Sequence, residues 1–374
     1  MDLSSEDSLR LNVLLKQELQ ALRIDASRMI VHALTAKGEA TVTLNPNVRD
    51  DLYLKRVREL VSTHVLGSPG GYPVYIKRWT RSGQAREDES LRSLLLLGEP
   101  EAVVAVVHNP ELSPELARLA WWAMPEAENA RRLLEKPQVA ASEVGPELAQ
   151  FLIEYLPFET EPHALQETVR LVLQPGLASA AVRADLWKRA GRKGAYFIGF
   201  LQACPDDLPE TLPPHPAAEA VSAALGELLA ADNPYARLLC KSLEPQGQAW
   251  LKTAEQALDK IANQDTTVAL FNTIGVYFGA ARPPGVRCAD SAAAVAQAEA
   301  CVAAPEALAP GLGEVLAAVP DQRERLVAIL TLALIDENLL DTFFAYSDAV
   351  GPLMRRKLAP WTQPLLAQIA RLRG

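Results

Sequence analysis

Proline spacing is the feature of this sequence that most restricts its fold. The 374 residues include 27 prolines, and beyond residue 90 these interrupt stretches rich in leucine, alanine and glutamate every dozen or two residues. Proline ends or kinks a helix because it has no amide proton and its ring clashes with the preceding turn. The pattern therefore predicts many short helices that stack on one another, with few strands in this part of the chain.

Three of these proline-containing segments are alike. Residues 106–112, 133–139 and 172–177 each join an apolar helix end to a proline and to an apolar residue two positions further on. Their prolines do not keep one spacing, as a regular solenoid would require. We therefore expect an irregular, HEAT-like array of helical repeats.

The first 90 residues have a different texture, which predicts a small α+β module. The segments 29–34 and 40–44 are rich in β-formers and flank a turn at 36–39, so a β-hairpin is expected there. Two amphipathic helices are expected around it, and the second should stop at Gly67. The first helix is predicted by Leu11, Leu14, Leu15, Leu19 and Leu22, and the second by Leu54, Val57, Val61 and Val65.

The predicted fold class is mostly α, with four regions. Residues 1–90 form the α+β module, which carries a basic face, and residues 91–204 form the helical-repeat region. Residues 205–216 are expected to form an extended connector, because the thirteen-residue run 204–216 contains five prolines. Residues 217–374 form a C-terminal all-α region.

Charge and apolar run length restrict where the chain works. A net charge of −9 argues against a whole-surface affinity for nucleic acid or anionic membranes. The longest apolar runs, 268–280 and 326–335, are shorter than the roughly 20 residues of a membrane helix and are expected to be buried helices. The start of the sequence is acidic where a secretory leader would be basic. We therefore expect a cytoplasmic protein that does not insert into membranes.

A local reversal of charge lies near the end of the first module. Between residues 49 and 86, eight basic residues accompany only three acidic ones. Within this range Ser68–Gly71 predicts a type II turn, because proline presets the second position and glycine tolerates the positive φ of the third. The glycines fit neither a Walker loop nor a dinucleotide-binding loop. A strand over residues 74–81 would align cations and rings on one face. This basic-aromatic segment consists of Tyr75, Lys77, Arg78, Trp79 and Arg81.

Three interpretations of the basic-aromatic segment stay open. Aromatic rings interleaved with cations can stack on bases and contact phosphates, which would make it a nucleic-acid surface. It could instead dock an acidic protein partner. It could also be a solvated edge strand, with Trp79 lying on a neighbouring helix. A second aromatic feature, Trp121–Trp122, should place one ring in the core, and an exposed second ring would be a partner hot spot.

Candidate chemistry is sparse elsewhere. The four cysteines are too far apart for a Cys-x-x-Cys unit. Cys288 follows a turn that is expected to be exposed. There, Arg287 and the start of a helix would lower the pKa of its thiol and make it reactive. Glu337 and Asp341 lie one helical turn apart, and without a second ligand pair they are expected to form a solvated face. No catalytic motif, metal site or cofactor is predicted, which favours a non-enzymatic role.

Four passages resemble one protein family. They are the start (residues 1–15), the stretch 67–81, the run 94–109, and 117–125 together with 128–132. In these the chain resembles the DsrS family of sulfur-oxidising bacteria, densely over about the first 135 residues. The resemblance implies a cytoplasmic accessory protein of the reverse-acting dissimilatory sulfite reductase system, and it supplies no catalytic residues.

The expected function is therefore that of an accessory or regulatory protein that contacts other proteins of sulfur oxidation. Two alternatives remain. The basic-aromatic segment could bind RNA or DNA for regulation, or Cys288 could accept sulfur, since sulfur travels on thiols as persulfide in such cells.

Overall fold

The structure, a computed structural model, describes residues 3–73 and 88–374. It is mostly helical, with one three-stranded antiparallel sheet near the amino terminus, so the predicted fold class is confirmed. Its contacts divide the chain into unit 1 (Met1–Tyr155) and unit 2 (Leu156–Gly374). No helix in the described ranges is both long and apolar enough to cross a bilayer.

Unit 1 opens with a small sheet enclosed by two helices. Its elements are α1 (Ser5–Leu15), β1 (Leu19–Asp25), β2 (Ile30–Thr35), β3 (Gly38–Thr43) and α2 (Asp50–Leu66). The predicted hairpin is β2–β3, and the second helix ends as expected at Gly67, whose φ of 66° is easy for glycine alone.

The prediction for the first helix is wrong in its second half. Leu19 and Leu22 belong to strand β1, which pairs with β2. Helical spacing had assigned them to α1, but Leu22 and Ile24 alternate across the strand and pack into the core beneath α1 and α2. A period of two therefore overrides the apparent period of 3.6 once the chain passes Lys16.

A buried carboxylate holds this first module together. Asp7 is fully buried, and its Oδ2 accepts a hydrogen bond from the Tyr53 hydroxyl and another, at 2.7 Å, from the backbone amide of Asn45. Burial opposes ionisation, but the hydrogen bonds from Tyr53, Asn45 and Ser4 outweigh it, so the pKa of Asp7 lies below its usual value. One side chain thereby ties α1 to α2 and to the end of the sheet.

Six helices follow in the described part of unit 1 from residue 88 onward. They are α3 (Asp88–Leu95), α4 (Pro100–Val107), α5 (Pro114–Ala123), α6 (Ala127–Leu134), α7 (Pro137–Ala140) and α8 (Val144–Tyr155). Three of them start at a proline, which suits the first turn because its missing amide would have no partner there. Strand β1 packs against α3 and α5, so the boundary predicted at residue 90 lies inside unit 1.

Unit 2 consists of helices. They are α9 (Pro162–Val172), α10 (Ala180–Ala190), α11 (Gly194–Ala203), α12 (Ala218–Ala224), α13 (Gly226–Ala230), α14 (Pro234–Leu243), α15 (Pro245–Leu258), α16 (Gln264–Tyr277), α17 (Ser291–Ala303), α18 (Pro305–Leu308), α19 (Leu312–Ala318), α20 (Arg323–Ala333), α21 (Asp341–Phe344) and α22 (Gly351–Arg373). Short 3₁₀ turns occupy Gly279–Ala281, Pro320–Gln322 and Glu337–Leu340. The apolar run 326–335 is fully buried, as predicted.

Helix α11 is the centre of unit 2. Its seven residues from Ala195 to Leu201 are all buried, and it packs against α9, α10, α15 and α16. The approach to α9 is closest at Gly199. A Cβ there would lie 2.8 Å from the carbonyl oxygen of Gln166 and 2.8 Å from the Cβ of Val169. Only glycine lets the two helices come this close.

The segment predicted as a connector is fastened to two helices of unit 2. Residues 205–216, here called the proline strap, contain no helix. Asp206 and Glu210 form ion pairs with Lys241 (2.7 Å) and Lys252 (2.5 Å). The amide of His215 also donates to the carbonyl of Leu243 at 2.8 Å. The strap therefore lies inside unit 2, fastened to α14 and α15, and the contacts place the division of the chain after Tyr155 instead.

We expect Asp7→Ala to lower the free energy of unfolding of unit 1 by about 3 kcal/mol, because it leaves the Tyr53 hydroxyl and the Asn45 amide buried without an acceptor. Because the folded pKa of Asp7 is depressed, its contribution is present above the unfolded pKa, about 3.9, and is lost as the pH falls below it. Hydrogen exchange of strand β2 over this pH range measures the effect. Glu101→Ala, an exposed change, should shift exchange little, and equal effects of both variants would contradict the role of Asp7.

Gly199→Ala tests the contact between α9 and α11. Alanine normally stabilises a helix interior relative to glycine by about 1 kcal/mol. Here we expect the opposite sign, a loss of about 2 kcal/mol in thermal or urea unfolding, because the new methyl group overlaps α9. Gly226→Ala is the matched control, since nothing lies within 4 Å of a Cβ at that position. A stabilised Gly199→Ala variant would show that the helices are free to move apart.

Candidate functional site

The basic-aromatic segment lies outside the described residues, so Tyr75, Lys77, Arg78, Trp79 and Arg81 stay sequence predictions. The turn before it differs from the prediction. A type II turn over Ser68–Gly71 needs a positive φ at Gly70, whereas the positive φ, 59°, is at Gly71. A Cβ at Gly71 would collide with the Glu99 carboxylate, which accepts the amide of Tyr72 at 3.0 Å. Gly71 is thus required by backbone geometry.

The two adjacent tryptophans both have intramolecular roles. Trp121 is buried, as predicted for one ring, and its Nε1 donates to Glu147 at 2.8 Å. Trp122 is half-buried, with the Arg23 guanidinium 5.2 Å from its ring centre and its Nε1 donating to Glu39. Trp122 therefore fastens α5 to the sheet, which differs from the exposed partner hot spot considered from the sequence.

Cys288 does not have the surroundings expected of a reactive thiol. It is 9% exposed, so the expectation of an exposed cysteine is wrong. Burial raises the pKa of its thiol, and nearby Asp336 and Asp290 also raise it, against an opposing effect of Arg282. Arg282 is itself held by Asp336 at 2.6 Å. The thiolate needed for sulfur transfer is therefore disfavoured at this position.

The structure assembles an acidic groove on unit 2 from residues far apart in the sequence. The groove has a volume of about 920 Å³ and lies among the starts of α9 and α16, the 3₁₀ turn Glu337–Leu340 and α21. Glu337 and Asp341 line it, as an exposed pair. Asp265 and His163 join them, and no sequence motif indicates that these four residues meet.

The acidic groove carries uncompensated negative charge above an apolar floor. No lysine or arginine of the described chain lines it, and its three carboxylates have no ion-pair partner within residues 3–73 and 88–374. Glu337 is held in place by Asn272, whose Nδ2 donates to its carboxylate at 3.0 Å. The apolar floor consists of Val268, Leu340 and Phe344.

The groove does not have the geometry of a metal site. Across the described residues, no three His, Cys, Asp or Glu side chains lie close enough together to hold one ion. The arrangement instead offers spread negative charge and apolar contact, which suits a cationic surface larger than a single ion. Next to the groove, Tyr346 is 88% exposed, a large aromatic surface in contact with water.

We expect Cys288 in the native protein to react with iodoacetamide at least about tenfold more slowly than in the unfolded chain near pH 8, because burial disfavours its thiolate. Mass spectrometry of its peptide measures the rate, and half-buried Cys204 serves as an internal comparison. Incubation with a persulfide donor should leave Cys288 without added sulfur. Rapid alkylation of native Cys288, or sulfur on its peptide, would restore the sulfur-acceptor hypothesis.

The chain matches no protein-family model, no curated protein and no solved structure. Its function is therefore inferred from the chemistry of its surface together with the sequence resemblance. The acidic groove offers unpaired negative charge and apolar contact together.

Proposed function

We propose that the chain is a non-enzymatic, cytoplasmic accessory or regulatory protein of bacterial sulfur oxidation that acts through contacts with other proteins. The resemblance to the DsrS family supports the pathway. The acidic groove supports the mode of action and is the observation on which the proposal depends. The partner is a protein of the reverse-acting dissimilatory sulfite reductase system.

The chemistry of the groove specifies what the partner presents. Three unpaired carboxylates attract cations and steer a basic surface toward the groove, which speeds association and selects against acidic proteins. The apolar floor rewards a partner that inserts an apolar side chain between its cations. The expected partner surface is thus a basic segment with at least one apolar residue.

The thiol alternative has less support, because Cys288 is buried and its pKa is raised. Regulatory binding of RNA or DNA through the basic-aromatic segment remains a prediction from the sequence. If the segment binds RNA or DNA, the affinity for nucleic acid should fall steeply as the salt concentration rises.

Neutralising the groove should reduce partner capture. The test compares the tagged wild-type protein with Asp265→Asn/Glu337→Gln/Asp341→Asn, using lysate of a sulfur-oxidising bacterium and quantitative mass spectrometry. We expect dissimilatory sulfite reductase or its associated proteins to be enriched by the wild type and reduced about tenfold with the variant, because three charge contacts are lost.

The matched control is Glu219→Gln/Glu227→Gln/Glu299→Gln, which changes the net charge equally at exposed positions away from the groove. It should capture as much partner as the wild type. Equal capture by the groove variant and the control would remove the groove from the proposal. Capture of no protein above background by the wild type would contradict the accessory function itself.

A further inference from the structure

A second concave surface of unit 2 shares no lining residue with the acidic groove and has the opposite charge, although its Pro162 and Thr266 are next to His163 and Asp265 of the groove. It is a cavity of about 380 Å³ at the start of α11, within the range of about 300–1,000 Å³ typical of small-molecule sites. We propose that this cavity binds a small organic anion with an apolar body, such as a carboxylate or a phosphate monoester. This inference does not depend on the proposed function.

The floor of the cavity is apolar and well ordered by packing. Leu165, Ile198 and Ile261 line it and are each no more than 3% exposed. They come from α9, from α11 and from the segment after α15, so the floor depends on the close packing of these elements. Such a floor accepts the hydrocarbon part of a ligand, since burying apolar surface there releases it from water.

Four cations surround the cavity, against one carboxylate, Asp259. They are Arg192, Lys193, Lys260 and Arg355. Arg192 and Lys193 are exposed and have no ion-pair partner within the described parts of the chain. In a chain of net charge −9, four cations at one opening are a strong local concentration of positive charge.

The other two cations are fixed by the backbone and keep donors to spare. The Lys260 ammonium donates to the carbonyl of Gly191 at 2.8 Å, and Nη1 of Arg355 donates to the carbonyl of Ile261 at 3.1 Å. Each bond uses one donor of a group that has three or five. Because a carbonyl does not neutralise a cation, both retain their full charge for an anion.

Backbone geometry brings this charge to the opening. A Cβ at Gly194 would lie 2.7 Å from the Cβ of Lys260. Glycine is therefore needed at position 194 for the start of α11, and the turn at Gly191 before it, to approach Lys260. This approach sets Arg192 and Lys193 at the rim. The first turns of α9 and α11 also face the cavity, and neither Glu161 nor Lys193 caps its helix through its side chain, so both positive helix ends add to the field.

The ligand class follows from the floor and the rim together. A bare inorganic anion would leave the apolar floor exposed to water, and a neutral apolar molecule would leave the cations without a counter-charge. A molecule with one anionic head and an apolar body satisfies both. The probe 8-anilinonaphthalene-1-sulfonate has this character and reports binding by its fluorescence.

We expect the probe to bind the full chain at one site. Arg192→Gln/Lys193→Gln should weaken the binding about tenfold, since two charge contacts are lost from exposed side chains that form no ion pair with the described residues. Arg287→Gln/Arg323→Gln removes two exposed cations that do not line the cavity and should change the affinity less than about twofold. Ala262→Phe, which fills the cavity without changing charge, should abolish binding while thermal unfolding remains cooperative.

Competition identifies the source of the anion. Octanoate and octyl phosphate should each displace the probe. The competitor with the higher affinity shows whether the cavity prefers a carboxylate or a phosphate ligand. Inorganic phosphate and octanol should not displace it. The inference is overturned if the rim and filling variants bind the probe as the wild type does, or if octanol competes as well as the two anions.

Discussion

The close contact between α9 and α11 is the constraint on which unit 2 depends. Because Gly199 has no side chain, α11 lies directly against α9 at Gln166 and Val169. Helix α11 then reaches α15 and α16 on its other sides and is buried from Ala195 to Leu201. Its start is thereby fixed where the cationic cavity opens, and the starts of α9 and α16 are fixed where the acidic groove begins. Two oppositely charged surfaces follow from one packing requirement.

Unit 1 depends on polar contacts in places where the sequence indicates only apolar ones. Asp7 joins α1 to α2 and the sheet, and Trp122 joins the sheet to α5 through Arg23 and Glu39. These contacts explain why the sheet does not form a domain of its own. Hydrogen bonds to Oδ2 of Asp7 and to the Glu39 carboxylate hold these elements in one arrangement.

Patterns among residues close together in the sequence predicted much of the fold, whereas contacts between distant residues could not be predicted from the sequence. The hairpin, the end of α2 at Gly67 and the buried run 326–335 each depend on neighbouring residues, so the sequence indicates them directly. Leu19 and Leu22 fit helix and strand spacing equally well, and pairing with β2 decides between them. Of the groove, only Glu337 and Asp341 could be singled out. Asp265 reaches them through tertiary packing, which no spacing rule indicates.

The surroundings of Cys288 show the same limit for chemistry. A proline-glycine turn beside an arginine suggested exposure, but packing buries the thiol, and the nearby Arg282 is paired with Asp336. A pKa depends on the three-dimensional arrangement of charges, which sequence neighbours represent poorly.

The proline strap has a consequence for how unit 2 assembles. Its five prolines restrict the unfolded chain, so fixing this segment costs less conformational entropy than fixing an equally long flexible loop. It connects α11 to the later helices while fastened to α14 and α15 by Asp206 and Glu210. A stiff segment of this kind holds its two ends within a narrow range of separations, so the early and late helices of unit 2 sample fewer relative arrangements before they pack.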